Sequence, residues 1–296
     1  MSTPNRRDPR GLFVGMANID FTYVVNEIPA RNTKVVAGSP ALSAGGPAIN
    51  AAITFAFLGG GAALISPVGR HSLTSVIHEE LDSAGVRLHD VTREKQAPPP
   101  VSAILVIRGT GERTIIATGD RDFPAPDFQC DPQWFQGISI VLVDGLYMPV
   151  CVAVAAQARA LGISVVLDAG SWKPGMPGLL PHVDIAVCSN DFMPPGCRDE
   201  REVFAFLQAQ GIKRSAITRG ESSIHYLDEG AAGEIAVPKV QAVDTTGAGD
   251  IYHGAFCYAL AQPGHSFRDA LEFGARVASF SCQYLGTRSW RKEFRS

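Results

Sequence analysis

The segment from residue 244 to residue 250 places two carboxylates around three small residues, a combination suited to phosphate chemistry. It reads Asp244-Thr245-Thr246-Gly247-Ala248-Gly249-Asp250 and is followed by an apolar helical pattern. The small residues let an anion approach the main chain, and the start of a helix offers free N–H groups and a positive dipole end. Asp250 on the first turn can accept a proton from an attacking hydroxyl. The alternative is that Asp250 only caps the helix.

Two other segments carry polar groups that suit a substrate with several hydroxyls. Gly45-Gly46-Pro47-Ala48-Ile49-Asn50 puts two glycines at a helix start, where a substrate can lie against the backbone and Asn50 can bind a hydroxyl. Gly15-Met16-Ala17-Asn18-Ile19-Asp20 ends the first apolar run with an amide and a carboxylate. A paired carboxylate acceptor can hold two hydroxyls at once.

The elements that must position these groups alternate along the chain. Strands are predicted at 12–17, 62–66, 139–144, 164–168, 184–188 and 215–218, and helices near 48–58, 72–84, 150–161, 199–210, 247–262 and 267–284. Apolar strands alternating with helices predict a three-layer α/β/α fold around a mostly parallel sheet. Ligands then gather at the carboxyl ends of the strands.

Two stretches leave this alternation and predict a small accessory sheet. Residues 20–43 contain a β-like piece around Lys34–Ala37, and residues 100–118 read as a hairpin with a Gly109-Thr110-Gly111 turn. We expect one domain over residues 1–296, with a lid formed by about 20–43 and 100–118. Exposed strands of such a lid are a candidate surface for a homodimer.

Composition excludes several other classes. Hydrophobic residues make up 46% and the net charge is −3, which predicts a packed core without broad attraction to nucleic acid or membranes. The six cysteines show no C-x-x-C pair, and the amino terminus does not resemble a signal peptide, so a reducing, cytoplasmic setting is expected. Arg288, Arg291, Lys292 and Arg295 form a basic tail that we expect to be solvated.

Taken together, the three polar segments resemble the motifs of the ribokinase-like (PfkB) kinases. The string D-T-T-G-A-G-D is similar to the C-terminal signature of the family, 45–52 to its G-G-x-x-x-N-x-A, and 15–20 to its G-x-x-x-x-D. Their order and spacing agree with the family from about residue 12 to residue 286. The resemblance implies transfer of the γ-phosphoryl of ATP to a hydroxyl of a small sugar, with Mg²⁺ and, in many members, a monovalent cation such as K⁺.

The resemblance also implies roles for single residues. Asp250 is expected to be the base, with Gly247, Ala248 and Gly249 around the migrating phosphoryl. The residues expected to bind the sugar are Asn18, Asp20, Gly45, Gly46, Asn50 and Arg108. Those expected at the nucleotide are Lys173, Asn190, Thr218, Gly220, Lys239, Val243, Gly247 and Gly249. The expected monovalent-cation ligands are Asp244, Thr246, Gly286 and Ser289.

The chain departs from the family pattern at the magnesium site. Many relatives carry N-x-x-E after a central strand, whereas this chain reads Ser189-Asn190-Asp191-Phe192-Met193. Met193 stands where the glutamate is expected, and Asp191 or Asp168 is left to help hold Mg²⁺.

The nature of the substrate is less strongly indicated. The strings Val165-Val166-Leu167-Asp168 and Thr110-Gly111-Glu112-Arg113-Thr114 are closer to the ketohexokinase, fructokinase and sulfofructose-kinase side of the family than to ribokinase itself. A ketose or fructose-like sugar is therefore expected. Two alternatives stay open: a nucleoside kinase of the same family, whose base could lie on Phe21, Tyr23 or Phe123, and a non-catalytic sugar- or nucleoside-binding protein.

Overall fold

A computed structural model of the chain describes residues 8–38, 41–118 and 128–295. Phe123, one candidate shelf for a nucleoside base, lies outside the described residues. Within them, no helix combines the length and the apolar character that crossing a membrane requires.

The larger of two sheets has nine strands. Along the chain these are β1 (Arg10–Val14), β4 (Gly61–Ser66), β5 (Arg87–Asp90), β8 (Ile140–Val143), β9 (Ser164–Ala169), β10 (Ile185–Ser189), β11 (Arg214–Arg219), β12 (Ser222–Asp228) and β13 (Ala231–Ile235). Their spatial order is β13-β12-β11-β10-β9-β8-β1-β4-β5, and all pairs from β11 to β5 are parallel. The carboxyl ends of these parallel strands therefore meet along one edge.

Helices cover both faces of this sheet. The helices are α1 (Pro47–Phe57), α2 (Thr74–Ser83), α3 (Met148–Ala160), α4 (Met176–Leu179), α5 (Glu200–Ala209), α6 (Ala248–Leu260) and α7 (Phe267–Ser281). Residues of α1, α2, α6 and α7 share one buried cluster, and residues of α3, α4 and α5 share another. Successive strand residues join opposite clusters, as Phe13 and Val14 do, because side chains alternate across a strand. The predicted three-layer fold is confirmed.

The second sheet has four strands: β2 (Asn18–Val25), β3 (Ala41–Gly45), β6 (Val101–Ile107) and β7 (Arg113–Ala117). Its order is β3-β2-β6-β7, and the hairpin predicted over 100–118 is present. The strand predicted around Lys34–Ala37 is wrong. Lys34, Val35 and Val36 are exposed, none of these residues belongs to a strand, and the neighbouring strand is β3. Apolar character there reflects exposed Val35 and Val36, so hydrophobicity alone misplaced the strand.

Candidate active site

The site is centred on the first turn of α6. Gly247 precedes the helix with φ 68° and ψ 9°, a left-handed conformation that favours glycine. No side chain among the described residues caps this helix start. The Ala248 N–H makes only a long contact of 3.3 Å with the Thr245 carbonyl oxygen, so the first turn can still offer N–H groups to an anion. A Cβ built on Gly249 would meet no atom within 4 Å, which leaves room for a phosphoryl group beside the turn.

Asp250 lies on that turn and is joined to the sugar-side motif. Asn50 Nδ2, from α1, donates to Asp250 Oδ2 at 2.7 Å. Burial, with the neighbouring Asp168 carboxylate, raises the pKa of Asp250 to about 7. A carboxylate with a pKa near the working pH is well matched to accepting a proton from a hydroxyl.

The close crossing of α1 and α6 is what brings these two residues together. A Cβ built on Gly254 would lie 2.4 Å from the Ala51 carbonyl oxygen. Only a glycine therefore permits this separation of the helices, one turn beyond Asp250 and one residue beyond Asn50.

A buried polar cluster lies where β2 meets the double glycine. Asn18 Nδ2 donates to Asp20 Oδ1 and to Ser102 Oγ, both at 2.7 Å. The Asn18 Oδ1 atom is buried and has no hydrogen-bond partner among the described residues. Burial raises the pKa of Asp20, while its hydrogen bonds and the Arg288 charge oppose that shift. Such a cluster can accept hydroxyl hydrogen bonds from a ligand.

The two glycines allow the backbone to reach this cluster. A Cβ on Gly45 would lie 1.9 Å from Asp20 Oδ2, and one on Gly46 would lie 2.3 Å from the Met16 carbonyl oxygen. Gly46 also has φ 104°. Any side chain at either position would displace the polar groups around it.

Two more carboxylates end neighbouring strands of the large sheet. Asp144, at the end of β8, accepts from Met16 N at 2.8 Å and Leu146 N at 2.9 Å and so fixes the turn after β1. Burial raises its pKa to about 6. Asp168, in β9, lies 3.5 Å from His253 Nδ1. His253 is buried and also contacts the carbonyl oxygens of Gly249 and Val187, so its side chain is held in place within the helix layer.

Four of the residues expected at the nucleotide lie at or just after the carboxyl ends of strands β9 to β11. Thr218 Oγ1 donates to the Cys188 carbonyl oxygen at 3.2 Å, and Gly220 has φ 62° with open space where a Cβ would lie. Lys173 and Asn190 follow β9 and β10, whereas Lys239 and Val243 lie in the exposed stretch between β13 and α6. Strand β12 and the two edge strands of the large sheet, β13 and β5, had not been predicted.

The segment before α6 is tied to the segment after α7. Asp244 is buried, and its two oxygens accept from Thr246 N and Gly286 N, each at 2.8 Å. Val243 N and Asp244 N both donate to the Cys282 carbonyl oxygen. Three of the four expected cation ligands therefore share one loop cluster, and Ser289 lies in the short 3₁₀ helix that follows.

The second sheet touches this cluster through the β6–β7 turn. Arg113 Nη1 donates to Thr245 Oγ1 at 2.6 Å, and that hydroxyl lies 3.3 Å from the Gly111 carbonyl oxygen. A Cβ on Gly111 would approach the Val243 carbonyl carbon to 3.0 Å. The turn therefore reaches the loop that leads into the first turn of α6.

Arg108 is not brought to the polar cluster. Ser102 pairs with Asp20 across β6 and β2, whereas Arg108 follows the far end of β6 and is exposed. Ser102, which sequence reasoning missed, contacts the expected sugar-binding residues instead. The alternation of side chains along β6 could have indicated Ser102 only once the pairing with β2 was known.

Arg288 corrects the expectation of a solvated basic tail. Its side chain is only 16% exposed and donates to Glu80, Asn50 and the Ala44 carbonyl oxygen. Charge runs at chain ends are usually solvated, and no pattern in the sequence indicated that this arginine would be drawn into the site. Glu80, which contacts Arg288 and Ala44, was missed as well, because no motif in the sequence surrounds it.

Comparisons with known proteins assign the class of the chain. The family described as pfkB family carbohydrate kinase matches residues 10–293. The chain belongs to this family, and it is accordingly an ATP-dependent kinase whose acceptor is an alcohol group.

Particular relatives agree with that class. The chain is 26% identical to a ribokinase of Arabidopsis thaliana, over 94% of this chain and 77% of the relative, and 25% identical to mouse (Mus musculus) ketohexokinase, over 93% and 96%. The fold is that of the A. thaliana ribokinase solved with ribose and ATP (TM-score 0.77, 24% identity, 97% of this chain and 98% of that one). It is also that of an Anopheles gambiae adenosine kinase (TM-score 0.79, 22% identity, 95% and 97%).

Proposed function

We propose that the chain phosphorylates a hydroxyl of a small sugar, a ketose or fructose-like compound, by direct transfer from ATP. The observation that carries the proposal is the 2.7 Å hydrogen bond from Asn50 to Asp250. It links the double-glycine motif and its polar cluster to a carboxylate on an anion-binding helix start. A sugar held by Asn18 and Asp20 then has one hydroxyl directed toward Asp250.

Asp250 accepts the proton of that hydroxyl as it attacks. The main-chain N–H groups at Gly247, Ala248 and Gly249 stabilise the negative charge of the moving group. Contact between the β6–β7 turn and Thr245 supports a lid role for the second sheet, which would exclude water and suppress ATP hydrolysis. The residues proposed to border the nucleotide are Lys173, Asn190, Thr218, Gly220, Lys239 and Val243.

Mg²⁺, when bound with ATP, neutralises the phosphate charges. The described residues contain no group of three or more His, Cys, Asp or Glu side chains arranged as metal ligands. Met193 supplies no oxygen, so we propose that Mg²⁺ depends on the ATP phosphates and on the carboxylates of Asp168 and Asp191. A K⁺ site is proposed at the carbonyl groups of Asp244, Thr246, Gly286 and Ser289.

The proposed setting and assembly rest on separate observations. The six cysteines are unpaired, three of them buried, which supports a reducing cytoplasm. Edge strands β3 and β7 expose Leu42, Ile115 and Ile116, which supports a homodimer through the second sheet.

A substrate panel tests the proposal. Purified protein is assayed for ADP release with ketoses, D-ribose and other aldoses, and nucleosides, with Mg²⁺ and with or without K⁺. Turnover confined to ketoses supports the proposal. Preference for D-ribose or for a nucleoside would replace the proposed substrate, and calorimetric binding without turnover would favour a non-catalytic binding protein.

A further inference from the structure

The guanidinium of Arg288 contacts three groups of the site, all of them more than 200 residues away from it in the chain. Its Nε donates to Glu80 Oε2 at 2.9 Å, its Nη1 to Asn50 Oδ1 at 2.7 Å, and its Nη2 to the Ala44 carbonyl oxygen at 2.9 Å. Nη1 also contacts Thr287 Oγ1 at 2.7 Å. Only 16% of the Arg288 side chain is exposed. Because the donors of a guanidinium have a fixed geometry, these acceptors hold the side chain in one orientation.

This contact decides which way the Asn50 amide faces. An amide presents an acceptor on one side and two donors on the other. With Oδ1 facing the guanidinium, Nδ2 faces Asp250 Oδ2 and donates to it at 2.7 Å. Rotation of the amide would place its NH₂ against a cation and its oxygen against a carboxylate. Both contacts would then be repulsive.

Arg288 and Glu80 also fix the backbone that leads into the double glycine. Glu80 Oε1 accepts from Ala44 N at 2.8 Å, while Arg288 Nη2 donates to the carbonyl oxygen of the same residue. Ala44 directly precedes Gly45 at the end of β3, where the second sheet joins α1. One ion pair therefore holds both the approach to the sugar cluster and the orientation of Asn50.

We infer that Arg288 is a positioning residue for phosphoryl transfer: acting through Asn50, it holds the Asp250 carboxylate hydrogen-bonded and oriented toward the acceptor hydroxyl. The inference rests on the proposed role of Asp250 as base. Glu80 acts with Arg288 by fixing the guanidinium. Without Arg288, Asn50 turns freely and Asp250 loses its donor.

Losing the Asn50 hydrogen bond would raise the pKa of Asp250. The Asn50 hydrogen bond and the charge of His253 lower the pKa of Asp250, whereas burial and the carboxylates of Asp168 and Asp20 raise it. Losing the donor therefore moves the pKa upward. Because the base acts when ionised, the acidic limb of the kcat/KM profile moves to higher pH. Around Arg288 itself, the other charged groups are Glu80, Arg291 and Asp20.

The test compares Arg288→Lys with a matched control, Arg276→Lys. Lysine keeps the charge beside Glu80, but one ammonium cannot serve Glu80, Asn50 and Ala44 together. Arg276 is exposed on α7 and stacks on Phe273 outside the site. Using whichever substrate the panel identifies, we expect kcat/KM to fall about 10- to 100-fold in Arg288→Lys, the loss of one hydrogen bond to a charged group, and the acidic limb to move upward. The control keeps both.

A double-mutant cycle separates positioning from general stability. If Arg288 acts through Asn50, then adding Arg288→Lys to the Asn50→Ala variant lowers kcat/KM by no more than about threefold. Equal factors in both backgrounds, with an unmoved acidic limb, would overturn the inference. Arg288→Met, which also removes the charge, repeats the test, and circular dichroism confirms that each variant is folded.

Asp250→Asn is assayed in the same series. If Asp250→Asn turns over like the original protein, Asp250 is not the base, and the proposal and the inference both fail. If Asp250→Asn is inactive while Arg288→Lys keeps the original pH profile and rate, the inference alone fails.

Discussion

The contact between Gly45 and Asp20 gives the sharpest prediction about substrate binding. Gly45 has no unusual backbone conformation that alanine could not adopt, so only the added methyl group matters. That carbon would lie 1.9 Å from Asp20 Oδ2 and 2.3 Å from its Cγ. Since β2 and β3 pair at this point, the backbone cannot retreat easily, and the carboxylate must turn away.

The size of the effect follows from what Asp20 is proposed to bind. A hydrogen bond to a charged group contributes about 1.5–3 kcal/mol, and Asp20 is proposed to accept two from the sugar. Gly45→Ala is therefore predicted to lower kcat/KM by about 10-fold if the weaker of these hydrogen bonds is lost, and by up to about 10⁴-fold if both are lost. Most of the loss is expected in KM, because Asp20 binds hydroxyls that do not react.

Steady-state ADP release over a range of sugar and ATP concentrations measures this effect. Gly178→Ala is the matched control, since a Cβ there would only reach 4.0 Å from a Val152 methyl group. The KM for ATP should be unchanged in both variants. A normal KM for sugar in a folded Gly45→Ala protein would refute the reasoning, because it would show that the Asp20 carboxylate is not needed where the structure holds it.

Four further predictions follow from the same geometry. Asp250 has a pKa raised to about 7, so kcat/KM should fall as pH drops through that value, and a pH–rate profile that is flat between about pH 6 and 8 would contradict the base assignment. The same raised pKa means that the folded state loses stability as pH rises from the unfolded value through about 7; Asp250→Asn should therefore increase the free energy of unfolding at about pH 8, by up to about 4 kcal/mol, and change it little at about pH 4, as urea titration at both pH values will show. Gly254→Ala places a methyl group 2.4 Å from the Ala51 carbonyl oxygen and should lower stability by about 1–3 kcal/mol and kcat with it, whereas unchanged melting and rate would mean that the helices separate freely. Met193→Glu restores a carboxylate near the nucleotide and should lower the Mg²⁺ concentration needed for half-maximal activity relative to Met193→Gln; equal requirements in the two variants would count against a magnesium role for that position.

The main sheet and its helices could be predicted because their physical signal is local. A short stretch of sequence is enough to recognise an apolar strand that is buried on both faces, such as Ile140–Val143, or a helix with one apolar face, such as Phe267–Ser281. Strands β12 and β13 were missed because only Ile224 and Ile235 among their residues are buried, and because β12 ends on the polar residue Asp228. The strand placed at 34–37 failed because local hydrophobicity does not reveal which edge a strand joins.

Some residues of the site could be predicted from the sequence and others could not. Asp250, Asn50 and Asp20 stand in continuous motifs whose chemistry can be read from neighbouring residues. Ser102 and Arg288 act through partners that lie 84 and 238 residues away in the chain. Their roles depend on strand register and on the path of the chain after α7, and neither is encoded by local spacing. Arg108 is the opposite case: it was expected to bind the sugar, but it follows the end of β6 that is far from Asp20.

The central claim is that Asp250 is the base that deprotonates a bound sugar. Single-turnover phosphoryl transfer by Asp250→Asn, with sugar binding measured by calorimetry on the same sample, tests it directly. We expect Asp250→Asn to bind the sugar with an affinity close to that of the original protein and to transfer the phosphoryl group about 10²- to 10⁴-fold more slowly. A rate within a few fold of the original, with the sugar bound, would contradict it and would require another group to accept the proton.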